Sequence, residues 1–129
     1  MRGNSLIVKS FCVALVCITL GGMFGASVNT AYAASTIYVP DDYLTIQAGV
    51  DAASSGDTII VKDGTYTENI NVNTDNLTIQ SANGANATIV QADNSSDHVF
   101  EIMADYVTLQ GFTVKGANGT GKSGVYLDE

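Results

Sequence analysis

Cysteine, histidine, proline and basic residues are all scarce in this chain, and each scarcity closes off a class of function. Only two of the 129 residues are cysteines, Cys12 and Cys17. Both lie in an apolar run near the N-terminus, so the rest of the chain has no thiol for a disulfide framework or a thiolate metal site. Basic residues number five against 13 acidic ones, and Arg2 and Lys9 sit at the N-terminal edge of the same run. Beyond it only Lys62, Lys115 and Lys122 face all 13 carboxylates, which argues against a nucleic-acid partner. A single proline beside 13 glycines, with 46% hydrophobic and 14% charged residues, excludes both a collagen-like chain and a disordered acidic tail.

The N-terminus reads as an address. Arg2 and Lys9 precede an apolar stretch from Phe11 to Ala26, and Ala31-Tyr32-Ala33 follows with the small-x-small pattern of a signal peptidase site. We therefore expect a signal peptide over residues 1–33 and an exported protein, with an extracellular, cell-surface or periplasmic destination. A retained membrane anchor is the alternative, but the run is short for the ~20 apolar residues of a spanning helix and contains Gly21, Gly22 and Gly25. Val16 before Cys17, with the apolar run continuing past it, does not fit a lipoprotein cysteine.

What remains is one small domain with a β signal. Thr36 to Val39 reads as a short edge or capping strand ended by Pro40-Asp41-Asp42. From Thr45 the period changes: Ile46, Gly49, Val50 and Ala53 mark one face of a short helix, and Ser54-Ser55-Gly56 stops it. Strands are then expected at Thr58–Val61, Glu68–Val72, Leu77–Gln80, Thr88–Val90, Val99–Ile102, Val107–Val114 and Val125–Leu127, with Gly, Asn, Asp and Ser turns between them. These strands repeat. Ile70, Val72, Leu77, Thr78, Ile79 and Gln80 are matched thirty positions later by Phe100, Ile102, Val107, Thr108, Leu109 and Gln110, and more weakly Val99-Phe100 is echoed by Val125-Tyr126. Such a period indicates a solenoid of about three coils whose strands stack about 4.8 Å apart. Alternation would turn Ile70, Val72, Leu77, Ile79, Phe100, Ile102, Val107 and Leu109 inward, and Thr78, Thr108 and the asparagines outward. An antiparallel sandwich of hairpins could use similar strands but does not require the repeated register.

The segments Thr45-Ile46-Gln47 through Ala52-Ala53, Gly56 to Val61 and Gly64 to Ile70 resemble the start of a right-handed parallel β-helix of the pectin-lyase-like superfamily. Val107 to Val114 similarly resembles one of its short parallel β-helix repeats. The resemblance is especially close to repetitive cell-surface proteins of methanogenic archaea and to the periplasmic family that includes copper-site maturation proteins of nitrous oxide reductase. It implies an all-β solenoid closed by the helix at 46–53, with a cap over 34–57 and coils over 58–129. Pectin methylesterases begin similarly, with a related helix and a Gly-x-Tyr-x-Glu segment, but their catalytic residues lie on later coils, so no catalytic residue is carried over. The sequence is expected to be the N-terminal piece of a longer protein.

Several constellations call for weighing. Gly116-Ala117-Asn118-Gly119-Thr120-Gly121-Lys122-Ser123 matches the phosphate-loop pattern after an expected strand, yet Gly124 to Leu127 is a poor helix start, and phosphate binding needs a helix there. A corner between coils accounts for the same residues. His98, beside Asp93 and Asp97, is a lone imidazole; for copper only Met103 would lend support. Asp93, Asp97, Asp105 and Asn94 are hard ligands suited to calcium, without a strict calcium-loop spacing. Tyr38, Tyr43, Tyr66, Tyr106 and Tyr126 could stack on sugars if they shared one outer face. Four sequons place candidate glycosylation at Asn76, Asn86, Asn94 and Asn118. The expectation is an exported structural or ligand-presenting module with no cofactor and no complete active site. Its partners would be extracellular polysaccharide or envelope proteins, and it would meet a membrane only through its leader or an anchor beyond Glu129. The alternative is the N-terminal part of a polysaccharide-active esterase or lyase.

Overall fold

A computed structural model describes residues 33–128 as a parallel β-solenoid with one short helix. The proposed signal peptide lies outside the described residues. Ten strands follow in chain order: β1 (Thr36–Val39), β2 (Thr58–Val61), β3 (Gly64–Thr67), β4 (Ile70–Val72), β5 (Thr78–Ser81), β6 (Thr88–Gln91), β7 (Phe100–Ile102), β8 (Thr108–Gln110), β9 (Thr113–Lys115) and β10 (Val125–Leu127). The helix α1 (Ile46–Ala52) lies between β1 and β2. The first sheet runs β1-β2-β5-β8, the second β3-β6-β9 and the third β4-β7-β10, and every pairing is parallel.

The solenoid has about four turns rather than three, because β1 is itself a rung: Thr36 to Val39 pair in register with Thr58 to Val61. The thirty-residue repeat holds where it was read, since Ile70 pairs with Phe100 and Thr78 with Thr108. It is not constant along the chain. Thr58 pairs with Thr78 and Ile89 with Thr113, so corners of different length absorb the variation while strand register is kept. The weaker echo is off by one residue: Phe100, not Val99, pairs with Val125. That register sets Val125 and Leu127 over the buried Phe100 and Ile102, continuing the inward set of the column. The strand β3 was not expected, because Gly64-Thr65-Tyr66-Thr67 offers one large side chain and no apolar alternation. The stretch Val107 to Val114 divides into β8 and β9 around Gly111-Phe112.

The core is a set of stacked columns. Ile37, Ile59 and Ile79 form one, continued by Leu109; Ile70 sits on Phe100 and Val72 on Ile102 in another. Of the residues expected inward, six are buried, whereas Val107 and Leu109 are half-buried because β8 is the outermost described strand of its sheet. Thr36, Thr58, Thr78 and Thr108 make the matching outer column, and beside it Gln110 Nε2 donates to Gln80 Oε1 at 2.6 Å.

Among the described residues only the first sheet has a strand in the first turn, and over the other two sheets the cap does the work of strands. Thr45 caps α1 by accepting the Ala48 N–H on Oγ1 at 3.1 Å. Both oxygens of Glu68, one turn on, take the next helix amides: Oε1 accepts Ile46 N–H at 3.0 Å and Oε2 accepts Gln47 N–H at 2.8 Å. Gln47 then acts as a substitute strand over β4. Its Oε1 accepts Asn71 N–H at 2.7 Å and its Nε2 donates to Asn71 O at 3.1 Å, satisfying the edge that a preceding strand would have covered. Tyr66, in register with buried Val90, covers the second sheet and donates its hydroxyl to Lys62 O. Gly49 lets the helix sit on β1, since a Cβ there would come within 3.2 Å of Val39 Cγ2. Asp57, buried beneath, accepts N–H from Ser35 at 2.7 Å and Ser54 at 2.8 Å. Burial pushes its carboxyl upward, but these two amides outweigh burial and hold it below the usual carboxylate range.

The corner between the third and first sheets repeats one backbone state. Gly56, Asn76 and Tyr106 all have positive φ (94°, 56° and 58°), each two residues before the strand it feeds. Gly56 N–H donates to Asn76 O at 3.1 Å and Asn76 N–H to Asp105 O at 2.9 Å, so the ladder requires this shape in every turn. Tyrosine is the least suited of the three to it.

Two outcomes are expected in urea denaturation. Glu68→Ala should lower stability by about 1–2 kcal/mol by orphaning two helix amides, with Glu68→Gln losing less. Tyr106→Asn should raise stability by about 0.5–1 kcal/mol, because Asn tolerates the left-handed region and Tyr106 is 83% exposed, with little packing to lose.

Candidate functional site

The outward residues singled out in the sequence fall on different corners and faces. Asn94 and Asn118 lie on the corner between the second and third sheets, on successive turns, together with Asn69 of the turn before. Asn69 stitches this corner: its Oδ1 accepts Asn94 N–H at 2.8 Å and its Nδ2 donates to His98 O at 2.6 Å and Asn94 O at 3.2 Å. One turn on, Asn118 and Gly119 both donate their amides to Ser95 O, at 2.8 and 2.9 Å. Asn76 sits on the positive-φ corner described above, and Asn86 lies between β5 and β6.

His98 is buried, and its place is structural. Its Nδ1 accepts Ser123 N–H at 3.2 Å and lies 3.1 Å from Ser123 Oγ, and its ring stacks on Tyr126 at 4.3 Å and 23°. These contacts tie the third turn to the fourth. Asp97 accepts His98 N–H at 2.8 Å and meets Lys122 Nζ at 3.4 Å; the amide lowers its carboxyl most, desolvation opposes it, and the Lys122 ammonium adds to the lowering, so the group lies below the usual range. Asp105 is on another corner, its amide bonded to Asp75 Oδ1 at 2.9 Å, so the hard-ligand set of Asp93, Asp97, Asp105 and Asn94 is not brought together. Among the described residues no group of three or more His, Cys, Asp or Glu is placed to hold a metal.

The phosphate-loop pattern is a corner. No helix begins at Lys122; the chain passes through Ser123 and Gly124 into β10. The amides that would cradle a phosphate are spent on Ser95 O and, for Lys122, on Gly119 O. The tyrosines do not share a face. Tyr38 is on the outer side of β1, Tyr43 precedes the helix, Tyr66 covers a core column, Tyr106 occupies a corner and Tyr126 stacks on His98. The residues that sequence reasoning undervalued are Gln47, Asp57 and Glu68. Their signal was a polar side chain within or next to a capping element, which is where unpaired backbone groups demand partners. Neither millimolar Mg-ATP nor EDTA should move the melting temperature of the purified domain by more than about 1 °C, a shift that corresponds to a small fraction of a kcal/mol for a domain of this size. Scanning fluorimetry with each additive checks both.

No protein-family profile and no solved structure matches the chain. The chain is 33% identical over 116 residues, 88% of its length, to a cell surface glycoprotein of Methanothermus fervidus. It spans 17% of that relative. The chain is thus similar to one stretch of a much longer surface protein.

Proposed function

We propose that this chain is a structural module of a cell surface, a length of solenoid that presents its outer faces to extracellular polysaccharide or to neighbouring envelope proteins. The similarity to the archaeal cell surface glycoprotein is the observation that carries the reading. The fold is in keeping with it. A threonine column from Thr36 to Thr108 and the Gln80–Gln110 pair stand on the outer side of the first sheet, and the 13 acidic residues against five basic ones give a solvated negative surface suited to an exposed layer. The Gly-x-Tyr-x-Glu segment serves end closure here, through Tyr66 and Glu68.

Exposure at the cell surface is tested by labelling intact source cells with a membrane-impermeant amine reagent, for which Lys62 and Lys115 are exposed targets. The expected result is a labelled protein in the envelope or medium fraction. An unlabelled protein confined to the cytosolic fraction would overturn the reading.

A further inference from the structure

The four sequons look alike in sequence, and the fold makes them unequal. N-glycosylation joins a sugar to the asparagine Nδ2: the nitrogen attacks the anomeric carbon of a glycosyl donor carried on a lipid phosphate or diphosphate. The new N–C bond replaces the C–O bond to the phosphate, Nδ2 gives up one proton to a base of the transferase, and the lipid phosphate leaves. The acceptor motif therefore has to present a carboxamide and the hydroxyl two residues on, together, in a backbone that can enter a transferase cleft.

Asn86 fails on the hydroxyl. Thr88, its partner two residues on, is fully buried, and its Oγ1 is engaged with Ser81 Oγ at 2.7 Å. Asn76 fails on the backbone. It is held at φ 56° between Gly56, whose N–H it accepts, and Asp105, to whose carbonyl it donates. Its Nδ2 donates to Ser55 Oγ at 3.2 Å, and Thr78 two residues on is already a rung of β5. Releasing that segment would unstitch a corner shared by three turns.

Asn94 and Asn118 keep an exposed hydroxyl two residues on, and although Asn69 bonds the Asn94 backbone and Ser95 that of Asn118, neither asparagine has a positive φ and neither sequon enters a strand. Asn94 and Ser96 are exposed, and Ser96 N–H donates to Asn94 Oδ1 at 3.0 Å. That turn occupies the carbonyl side of the carboxamide and folds the hydroxyl-bearing residue back toward it. Asn118 and Thr120 are likewise exposed and lie in a loop outside any strand. Both asparagines stand on the corner between the second and third sheets, one turn apart, bridged by the bond from Asn118 N–H to Ser95 O. We propose that the N-glycan acceptors of the folded protein are Asn94 and Asn118, so that its glycans leave from a single edge of the solenoid, while Asn76 and Asn86 stay bare. The proposal rests on the surface reading above and goes beyond it in assigning the edge.

Cleavage before aspartate separates the two classes: residues 75–92 hold Asn76 and Asn86, 93–96 hold Asn94, and 105–127 hold Asn118. Protein isolated from surface-labelled source cells should carry glycan mass on 93–96, on 105–127 or on both, with 75–92 unmodified. Glycan on 75–92, or a surface-labelled protein bare on all three fragments, would overturn the assignment while leaving the surface reading standing. The unfolded chain, offered to a purified oligosaccharyltransferase with a lipid-linked donor, should gain glycan on 75–92 as well. If that fragment stays bare when unfolded, sequence preference rather than the fold selects the sites, and the proposal fails.

Discussion

A parallel solenoid hydrogen-bonds every strand to the turn before and the turn after, so its first turn is a problem that the rest of the molecule has to solve. Here the first turn supplies one strand for three sheets. The two uncovered sheets would present unpaired amides and apolar columns to water, each a source of instability and of unwanted pairing. Three side chains close the gap by different physics. Gln47 reproduces with its carboxamide the donor and acceptor pair of a missing residue over β4, Tyr66 lays an aromatic ring over the column led by Val90, and Glu68 anchors the helix that holds Gln47 in place. Glu68 thus couples the cap to the first complete turn: without its carboxylate the N-terminus of a seven-residue helix would keep only the Thr45 cap.

The inner columns were legible in the sequence because alternation and burial are local properties that repeat. Ile70 over Phe100 and Ile79 over Leu109 could be paired from spacing alone, since a one-residue slip would turn each of them to solvent. The number of turns was not, because β1 looks like any edge strand until its partner is known. The strand β3 escaped because its pattern is set by the cap function of Tyr66 rather than by alternation. The echo at Val125 slipped by one because Val99 and Phe100 are both apolar and both buried, so composition could not say which one leads the rung.

The candidate site was legible only as a set of letters. Asn76, Asn86, Asn94 and Asn118 share a motif, and what divides them is tertiary: whether a threonine two residues on is inside a column, as Thr88 is, or whether a neighbouring turn imposes a left-handed backbone, as Gly56 and Tyr106 do around Asn76. The phosphate-loop pattern shows the same rule from the other side. Its spacing is complete, but the loop's amides answer to Ser95 on the turn below and the chain runs on into a strand.

Corners and sheets therefore carry different constraints. Strand positions are held in register from turn to turn, whereas the corners stretch: one turn of the first sheet closes in twenty residues, from Thr58 to Thr78, and the next takes thirty, from Thr78 to Thr108. The extra residues fall between β5 and β8, largely in the loops that carry Asn83 to Asn86 and Asp93 to His98. A corner can lengthen without disturbing the core only if its own polar groups find partners on the adjacent turn, as Asn69 does for Asn94 and Ser95 for Asn118. The asparagine-rich corner between the second and third sheets is thus both the stitch that holds successive turns and the place where the chain leaves the core and offers polar groups outward. For a solenoid whose sheets are committed to stacking, that corner is where recognition or modification can be added at least structural cost.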